Sequence, residues 1–402
     1  MRTRIRTILL SISLCTMGGI AQGQVPCPGY NPNNNKNLAC EIATATRTSG
    51  QASSLGSLSP TLAAQLSQLP IATAVTGTGL TFSKSLGVFT ASLDSLGTIL
   101  TQRGETIGKH KFFVSFSYQR FIFKSIDGVT LKDMPIVNFI DFGTVGTSYV
   151  TGKSAIDLRV DQLAAVGSFG LTDRIDVSVV VPYSRVKLKT VSTAHQYNFG
   201  AQQSDFDMGT TSLPGAARGF GDVTANVKVN LLKGERTSIA AGNEIRFPTG
   251  DEMNYLGTGA YGIKPYIVLS RRGRLTPNVN FGYQWNGGSA LLPNSENLPS
   301  SLMYSGGADF RVVKRFTITS EFMGQYVLDG SRIGLGTRVV PGLGSQPTVA
   351  PFKGSYAMHN LGVGFKLNPI WRLILTFNAL IKLDDGGLRS KFVPLAGISY
   401  RF

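Results

Sequence analysis

The chain has 402 residues, which is enough for one large barrel or for about two or three soluble domains. Hydrophobic residues make up 42% and charged residues 15%, so the composition excludes a disordered chain. The formal net charge is +16, but the basic residues are scattered, which argues against nucleic acid as a partner. No run of ~18 consecutive apolar residues follows the N-terminal region, so transmembrane helices are not expected.

The N-terminus predicts a secretory signal peptide over residues 1–23. Three arginines precede the apolar run from Ile8 to Ala21, and small residues precede the expected cleavage after Gly23. A lipoprotein anchor at Cys15 is the alternative, but Leu14 before it is too large for the usual lipobox. Removal of the three arginines would lower the net charge from +16 to about +13.

Two cysteines remain in the exported chain, Cys27 and Cys40. In an oxidising periplasm we expect them to form a disulfide bond that closes a short loop rich in proline and asparagine. A metal-binding or redox pair is the alternative, and it is disfavoured because no histidine lies near them in the sequence.

Residues 24–108 differ from the rest of the chain because they contain few large apolar side chains. Ser59-Pro60 followed by spaced leucines predicts a short capped helix that ends by Pro70. Leu80 to Phe89 predicts a small hairpin or, alternatively, two further strands of a barrel wall. Because so small a core would fold poorly alone, we predict a plug inside a barrel or a periplasmic segment beneath it.

Residues 109–402 alternate between apolar and polar side chains with a period of two, which predicts β-strands. In one strand, Val223, Ala225, Val227, Val229 and Leu231 alternate with Thr224, Asn226, Lys228 and Asn230. In another, Ile156, Leu158 and Val160 alternate with Asp157, Arg159 and Asp161. We expect the apolar face of each strand to meet hydrocarbon and the other face to meet water or the plug.

The connections between these strands alternate between short and long. Tight turns are predicted near Thr172, Gly234, Gly273, Lys314 and Asn368, and long loops over 125–153, 187–218, 249–259, 288–300 and 329–355. This asymmetry is typical of outer-membrane barrels, which have short periplasmic turns and long extracellular loops. We therefore predict an all-β, transmembrane antiparallel β-barrel of about twelve strands, or up to fourteen, with a soluble β-sandwich as the alternative.

The last two strands run from Ile370 to Phe402 and are separated by the turn Asp384-Asp385-Gly386-Gly387. The final strand resembles the closing strand of bacterial outer-membrane barrels, in which the barrel assembly machinery recognises a terminal phenylalanine. On this resemblance, Tyr400 and Phe402 are expected to form the assembly signal.

Several short segments resemble one family of such barrels. They are Gly170-Leu171-Thr172-Asp173-Arg174-Ile175-Asp176 to Val181-Pro182-Tyr183, Gly219-Phe220-Gly221-Asp222, Phe247-Pro248-Thr249-Gly250-Asp251, Gly257-Thr258-Gly259 and Asn280-Phe281-Gly282-Tyr283 with Asn286-Gly287. The family is that of the meta-pathway phenol-degradation barrels, relatives of the FadL/TodX-type hydrophobic-compound transporters. The resemblance implies passage of small, often aromatic or hydrophobic molecules across the outer membrane. It carries over no binding residue, because none of the segments is a site motif.

Catalytic motifs are sparse. Some outer-membrane phospholipases use a serine and a histidine on the lipid-facing wall, and His359 shares the parity of the apolar Leu361 and Val363. However, no Gly-x-Ser-x-Gly elbow is present, so a rim histidine is favoured. The run from Gly257 to Gly262 matches a dinucleotide fingerprint but precedes a strand rather than a helix. We therefore predict no enzyme, no cofactor and no metal site.

Charged residues on the polar strand faces are candidates for the wall of the lumen. A hydrated wall with some ion pairs is what any wide barrel requires. The alternative is a basic lumen that concentrates anionic solutes. The candidates are Lys228, Glu244, Arg246, Lys264, Asp309, Arg311, Glu321, Lys366, Arg372 and Lys382.

These features together predict a channel or transporter for the uptake of small, hydrophobic or aromatic molecules, anionic ones included. The plug or the long loops 187–218 and 329–355 would set access. A general diffusion porin, a phospholipase-type barrel enzyme and a structural adhesin are the alternatives. The expected partners are outer-membrane lipid and lipopolysaccharide, the barrel assembly machinery and the small-molecule solute.

Overall fold

The structure is a computed structural model. It describes residues 37–40, 58–66, 80–83, 88–91, 100–141, 146–200, 204–292, 295–313, 315–370 and 373–401. The predicted signal peptide 1–23, Cys27, Arg372 and Phe402 lie outside the described residues. Among the described residues, no helix has the length and apolarity needed to cross a membrane.

Among the described residues, the regular structure consists of one helix of nine residues, three helical residues at 38–40, a short 3₁₀ turn and a series of strands. In chain order they are α1 (Leu58–Leu66), β1 (Leu80–Ser83), β2 (Val88–Ala91), β3 (Phe112–Ile126), β4 (Val129–Thr130), β5 (Met134–Asp141), β6 (Gly146–Gly170), β7 (Ile175–Gly200), β8 (Ser204–Phe220), β9 (Thr224–Lys233), β10 (Thr237–Arg246), the 3₁₀ turn (Glu252–Asn254), β11 (Gly262–Arg271), β12 (Leu275–Asn286), β13 (Ser301–Val313), β14 (Phe316–Val340), β15 (Gly344–Ile370), β16 (Leu373–Lys382), β17 (Leu388–Ser390) and β18 (Phe392–Arg401).

The barrel is a closed antiparallel ring of 12 strands. The ring closes because β3 pairs with β18 along one edge and with β6 along the other. The remaining ring strands are β7 and β9–β16, while β4, β5, β8 and β17 pair outside the ring. A closed ring leaves no unpaired strand edge in hydrocarbon, which a bilayer requires. The predicted all-β barrel of about twelve strands is confirmed, and the alternative of a sandwich is wrong.

Short turns join the strands at one end, for example residues 171–174, 234–236 and 272–274. By analogy with outer-membrane barrels we call this the periplasmic end and the opposite end the outer end. At the outer end, the predicted loops 187–218 and 329–355 are instead β-hairpins, because β7 pairs with β8 and β14 pairs with β15 throughout them. These segments reach beyond the barrel ring, and pairing with each other satisfies their backbone groups.

In the half of the barrel nearer the periplasmic end, the outer wall is apolar and the inner wall is polar. On β9, Val227 and Leu231 are exposed outside, whereas Lys228 and Asn230 are buried inside. Neighbouring strands repeat the pattern with the exposed residues Val179, Ile267, Leu269, Val279, Phe281, Phe310, Ile318, Val363, Phe365, Phe377 and Ile398. A continuous exposed apolar belt of this kind requires surrounding hydrocarbon.

In the outer half the polarity of the strands is reversed. On β6, Ile156, Leu158 and Val160 are buried in the interior, while Asp157 and Arg159 pair on the outside. The apolar interior forms one cluster with Leu62, Phe121, Phe123, Met134, Ile136, Val186 and Leu188. The expectation that Ile156, Leu158 and Val160 face lipid is therefore wrong. Here the strand has left the membrane, and water outside favours a polar exterior over an apolar core.

The described part of the N-terminal segment includes the predicted helix and hairpin. Among the described residues, β1 and β2 pair with each other and with no strand of the barrel wall, so the hairpin prediction is confirmed and the two-wall-strand alternative is wrong. Helix α1 lies at the outer end of the barrel interior. Its Gln65 Nε2 donates to Asp127 Oδ2 at 3.3 Å and to the Ser331 carbonyl at 3.2 Å, and its Leu62 is buried in the apolar cluster.

Candidate functional site

A cavity of about 300 Å³ lies in the barrel interior. On its outer side it is lined by Gln65 and Leu66 of α1, and on its periplasmic side by residues 100–102. The rest of its lining comes from strands around most of the ring, from β3 through β16 and β18. The cavity therefore lies within the lumen between two parts of the N-terminal segment.

Strands β10 and β11 give the cavity a charged side. Arg246 Nη2 donates to Asn286 Oδ1 at 2.7 Å. Arg246 Nε lies 3.8 Å from Asp222 and is buried with no hydrogen-bond partner among the described residues. Lys264 and Glu244, directly opposite each other on the two strands, form an ion pair at 2.7 Å. A guanidinium carries a planar fork of N–H donors, which makes Arg246 a candidate for binding a carboxylate at the cavity wall.

Strands β3 and β6, four and three strands from β10 in the ring, give the cavity an apolar surface. The rings of Phe121 and Phe123 stack with their centroids 5.9 Å apart, and Val160 lines the cavity beside them. Leu66 and Met323 complete this surface and pack against the same cluster. The cavity is therefore amphipathic, with an apolar surface and a charged surface in which Arg246 and Lys264 lie beside the acids Asp222 and Glu244.

Three of the glycine-rich segments noted in the sequence meet at the outer ends of β9, β10 and β11. Asp222 accepts hydrogen bonds from the Gly250 N–H at 3.0 Å, the Thr258 N–H at 2.8 Å and the Thr258 hydroxyl at 2.6 Å. Gly257 has no room for a side chain, because a Cβ there would lie 2.5 Å from Asp222 Oδ1. Asp222, Gly257 and Thr258 all line the cavity, so these segments form part of its rim.

Residues 100–107 run through the lumen on the periplasmic side of the cavity, and all of them are buried. Their backbone does not join the sheet; inward-pointing side chains of the wall supply its hydrogen bonds instead. The N–H groups of Leu100, Gln102, Gly104 and Ile107 donate to Glu321 (2.9 Å), Asn280 (3.1 Å), Ser270 (3.1 Å) and Asp176 (3.1 Å). The carbonyls of Gln102, Arg103, Gly104 and Glu105 accept from Asn280 (3.1 Å), Lys228 (3.1 Å), Asn230 (2.6 Å) and Lys228 (2.6 Å).

The two charged side chains of this segment are paired with the wall. Arg103 Nη2 lies 2.5 Å from Asp309 Oδ2, and Arg272 Nε lies 3.0 Å from Glu105 Oε1. Burial raises the pKa of the Glu105 carboxyl, but Arg103 and Arg272 outweigh this effect and the pKa lies below its usual value. Glu105 is therefore ionised at neutral pH.

Two wall lysines are buried at the same level. Lys228 is 0% exposed and lies 3.7 Å from Asp176, in addition to its two backbone acceptors. Lys366 is 1% exposed and interacts electrostatically with Asp309 and Glu321. Buried charges are tolerated when they are paired and hydrogen-bonded, so the segment and the wall depend on each other.

The lumen candidates named from the sequence lie in different places. Glu244, Arg246 and Lys264 line the cavity, whereas Lys228, Asp309, Glu321 and Lys366 surround residues 100–107. Arg311 is half-buried near the periplasmic end of β13, and Lys382 lies at the outer end of β16, where it contacts Asp385. Arg372 is outside the described residues.

Sequence reasoning missed Arg103 and Glu105, and it left the wall amides Asn230 and Asn280 out of the candidate site. A signal was present in the wall. Asparagine recurs at inward positions of β9 and β12, and its amide both donates and accepts hydrogen bonds at fixed positions. Such side chains suit a peptide backbone better than they suit open water.

His359 lies on the outer wall, stacked on Phe322 with ring centroids 5.5 Å apart. Both of its ring nitrogens are engaged. Nδ1 lies 2.5 Å from Asp384 Oδ2, and Nε2 lies 2.6 Å from the Tyr304 hydroxyl. Neither nitrogen is therefore free to activate a serine. The described residues also contain no group of three or more His, Cys, Asp or Glu side chains that could hold a metal ion.

The predicted disulfide and assembly signal are only partly within the described residues. Cys40 is buried and disulfide-bonded, but Cys27 is not described, so their pairing stays a prediction. Tyr400 is exposed on the outer wall and lies between Leu373 and Val114 on the two neighbouring strands. Its role in assembly stays a prediction.

A ring of strands that is closed, apolar outside and polar inside defines a bacterial outer-membrane β-barrel. No protein-family model matches the sequence, and no curated protein matches it. Among solved structures, the chain is similar to an outer-membrane channel from Pseudomonas putida F1, with a TM-score of 0.43 and 12% identity over 76% of this chain and 100% of that one.

Two further solved structures are similar to this chain. One is a FadL homologue from Pseudomonas aeruginosa, with a TM-score of 0.27 and 9% identity over 73% of this chain and 89% of that one. The other is the toluene transporter TbuX from Ralstonia pickettii, with a TM-score of 0.29 and 11% identity over 84% of this chain and 99% of that one. At these identities and TM-scores, the likeness carries no conclusion about what this chain transports.

Proposed function

We propose that this protein takes up small amphipathic molecules across the outer membrane, each with a hydrophobic or aromatic body and an anionic group. The observation that carries the proposal is the amphipathic cavity in the lumen. Phe121 and Phe123 offer an apolar surface, and Arg246, which lies beside Asp222, offers a guanidinium at another part of the cavity wall. A volume of about 300 Å³ is at the small end of ligand pockets and suits a single-ring compound.

We infer that residues 24–108 act as a plug and that residues 100–107 are the part that blocks the lumen. This inference is supported by the ion pairs of Arg103 and Glu105 with the wall and by the hydrogen bond from Lys228 of the wall to the Glu105 carbonyl. A blocked lumen favours a gated transporter over the alternative of a general diffusion porin. A solute held in the cavity would pass to the periplasm only after this segment moves or is bypassed.

An uptake assay tests the substrate class. Radiolabelled benzoate and toluene have the same ring but differ in the carboxylate. Cells of a Gram-negative host that express the protein are expected to take up benzoate faster than cells without it. Arg246→Gln should lower benzoate uptake about tenfold or more, because it removes a charge-assisted hydrogen bond of roughly 1.5–3 kcal/mol, and should leave toluene uptake less changed.

Arg236→Gln is the matched control, because Arg236 is exposed at a periplasmic turn away from the cavity. Equal benzoate uptake by the Arg246→Gln variant and the unmodified protein would contradict the anion site. No uptake of either compound above the empty host would contradict the uptake function itself.

A further inference from the structure

The outer faces of β3, β6, β7 and β8 carry cross-strand rows of side chains where the wall leaves the membrane. One row is formed by Tyr118, Leu163, Tyr183 and Phe220, which lie directly opposite one another and are all exposed. Two residues further toward the outer end, the next row is Arg120, Asp161, Arg185 and Arg218. An aromatic row followed by a charged row marks the boundary between hydrocarbon and headgroups.

The rows beyond are also rich in cations. The next one consists of Ile122, Arg159, Lys187 and Ala216, and the following one places Lys189 opposite Asp157. Successive rows are about 6.8 Å apart along the strands, and neighbouring strands are about 4.8 Å apart. The cations therefore cover a patch about 15 Å across, which we call the basic patch.

Most of the positive charge in the basic patch is unpaired. Arg120 lies 3.4 Å from Asp161, and Arg159 lies 2.5 Å from Asp157. The remaining cations are exposed and have no ion-pair partner among the described residues; they are Arg185, Lys187, Lys189 and Arg218. Arg185 and Arg218 lie directly opposite each other on adjacent strands, an arrangement of like charges that is unfavourable unless an anion lies between them.

The basic patch lies on one side of the barrel. Exposed cations elsewhere at the outer end have partners: Lys353 pairs with Glu296 at 2.9 Å, and Arg338 lies over the Phe139 ring. The basic patch is therefore distinguished by unpaired cations on adjacent strands, an arrangement that suits an anionic ligand.

We propose that the basic patch binds the phosphorylated headgroup of lipopolysaccharide. Arginine presents a planar fork of donors that matches phosphate, and Arg185 with Arg218 supplies two such forks side by side. The occupant is a lipid rather than a soluble phosphate, because the patch continues into the aromatic row of Tyr183 and Phe220 and then into the apolar wall at Val179. Acyl chains along that wall would place the phosphates at the arginine row. This site does not depend on the transport function proposed above.

Binding of purified lipopolysaccharide to the full-length protein in detergent micelles tests the proposal. The test variant is Arg185→Gln/Lys187→Gln/Arg218→Gln. Its apparent affinity is expected to fall on the order of a hundredfold, because each Lys or Arg near an anionic lipid surface contributes a similar share of the binding free energy and the variant removes three of them. The charge-matched control is Arg236→Gln/Arg271→Gln/Arg315→Gln, which removes three exposed cations at the opposite, periplasmic end and should change the affinity less than about twofold.

Further measurements distinguish binding of the whole lipid from binding of phosphate alone, and a lost binding site from a folding defect. Asp161→Asn removes an acid from the arginine row and is expected to tighten binding, which a misfolded protein could not do. Dephosphorylated lipopolysaccharide should bind weakly, and inorganic phosphate at the lipid's concentration should not displace it. Unchanged affinity of the test variant, equal binding of the dephosphorylated lipid, or displacement by inorganic phosphate would each overturn the proposal.

Discussion

Single buried polar side chains of the inner wall form hydrogen bonds with the backbone of residues 100–107, as neighbouring strands do for one another within the sheet. Lys228, Asn230 and Asp176 are three such residues, and each one satisfies a backbone group of residues 100–107. In sequence they look like the hydrated polar face that any barrel needs. Only their burial and their hydrogen-bond partners distinguish a wall that binds a peptide segment from a wall that faces water.

Replacing Lys228 tests this role. In Lys228→Met, two carbonyls and the Asp176 carboxylate lose their cation, and breaking such a buried pair costs about 3–5 kcal/mol. We expect faster hydrogen exchange over residues 100–107 and a lower free energy of unfolding in lipid vesicles. The control Lys391→Met changes an exposed lysine and should stay within about 0.5 kcal/mol.

A double variant gives this prediction a second check. Asp176→Asn combined with Lys228→Met should recover part of the lost stability, because the carboxylate left without its partner is then neutral. Unchanged exchange in the single variant would mean that Lys228 does not hold the segment.

At the scale of elements, one strand can pass from the membrane into water, so its two halves contact different surroundings. On β6 the outward side chains are the apolar Leu163 and Phe169 toward the periplasmic end, but the ion-paired Asp157 and Arg159 toward the outer end, where the inner face joins an apolar core. The alternation has one period throughout, so it predicts the strand but not which face meets which solvent. The hairpins of β7–β8 and β14–β15 were predicted as loops for a related reason. Their exposed side chains are mostly small or polar and give little apolar alternation.

The segment of residues 100–107 can be displaced by a single steric change. Gly104 approaches the wall so closely that a Cβ would lie 2.8 Å from the Ser238 carbonyl oxygen. In Gly104→Val we expect the segment to leave its position and open the lumen. Single-channel recording should then show steady ionic conductance that the unmodified protein lacks.

Gly336→Val is the control for this prediction, because a Cβ at Gly336 meets only the Ala350 Cβ at 3.9 Å. Steady conductance of the unmodified protein would support a porin and contradict a closed lumen. A closed Gly104→Val channel would mean that residues 100–107 are not the block.

For the whole molecule, the apolar belt and the polar interior require an environment that water alone does not supply. Residues such as Val227, Leu231 and Phe281 are about half exposed on the outer wall, although they are apolar. Exposing this continuous apolar surface to water is unfavourable in free energy, whereas contact with the hydrocarbon of a bilayer carries no such penalty.

We therefore expect the purified protein to be soluble only in detergent or lipid. An unboiled sample should migrate differently from a boiled one in gel electrophoresis, because the closed hydrogen-bonded ring resists detergent until heated. Val227→Asp places a charge on the outer wall and should lower the free energy of folding into vesicles by about 1–4 kcal/mol, whereas Val339→Asp, on an exposed hairpin tip, should not. A monomer that stays soluble without detergent would contradict the membrane barrel.

The sequence by itself determined the barrel. A period of two over residues 109–402 and short turns alternating with long connections are local properties, and local backbone geometry follows from them. Tertiary structure alone decided what lies inside. Contacts such as Arg103 with Asp309 and Asp222 with Thr258 join residues far apart in the chain, and the reversal of polarity along β6 depends on where the bilayer ends. Such contacts leave no periodic signal, because they are set by the closure of the ring and the solvent on each side of it.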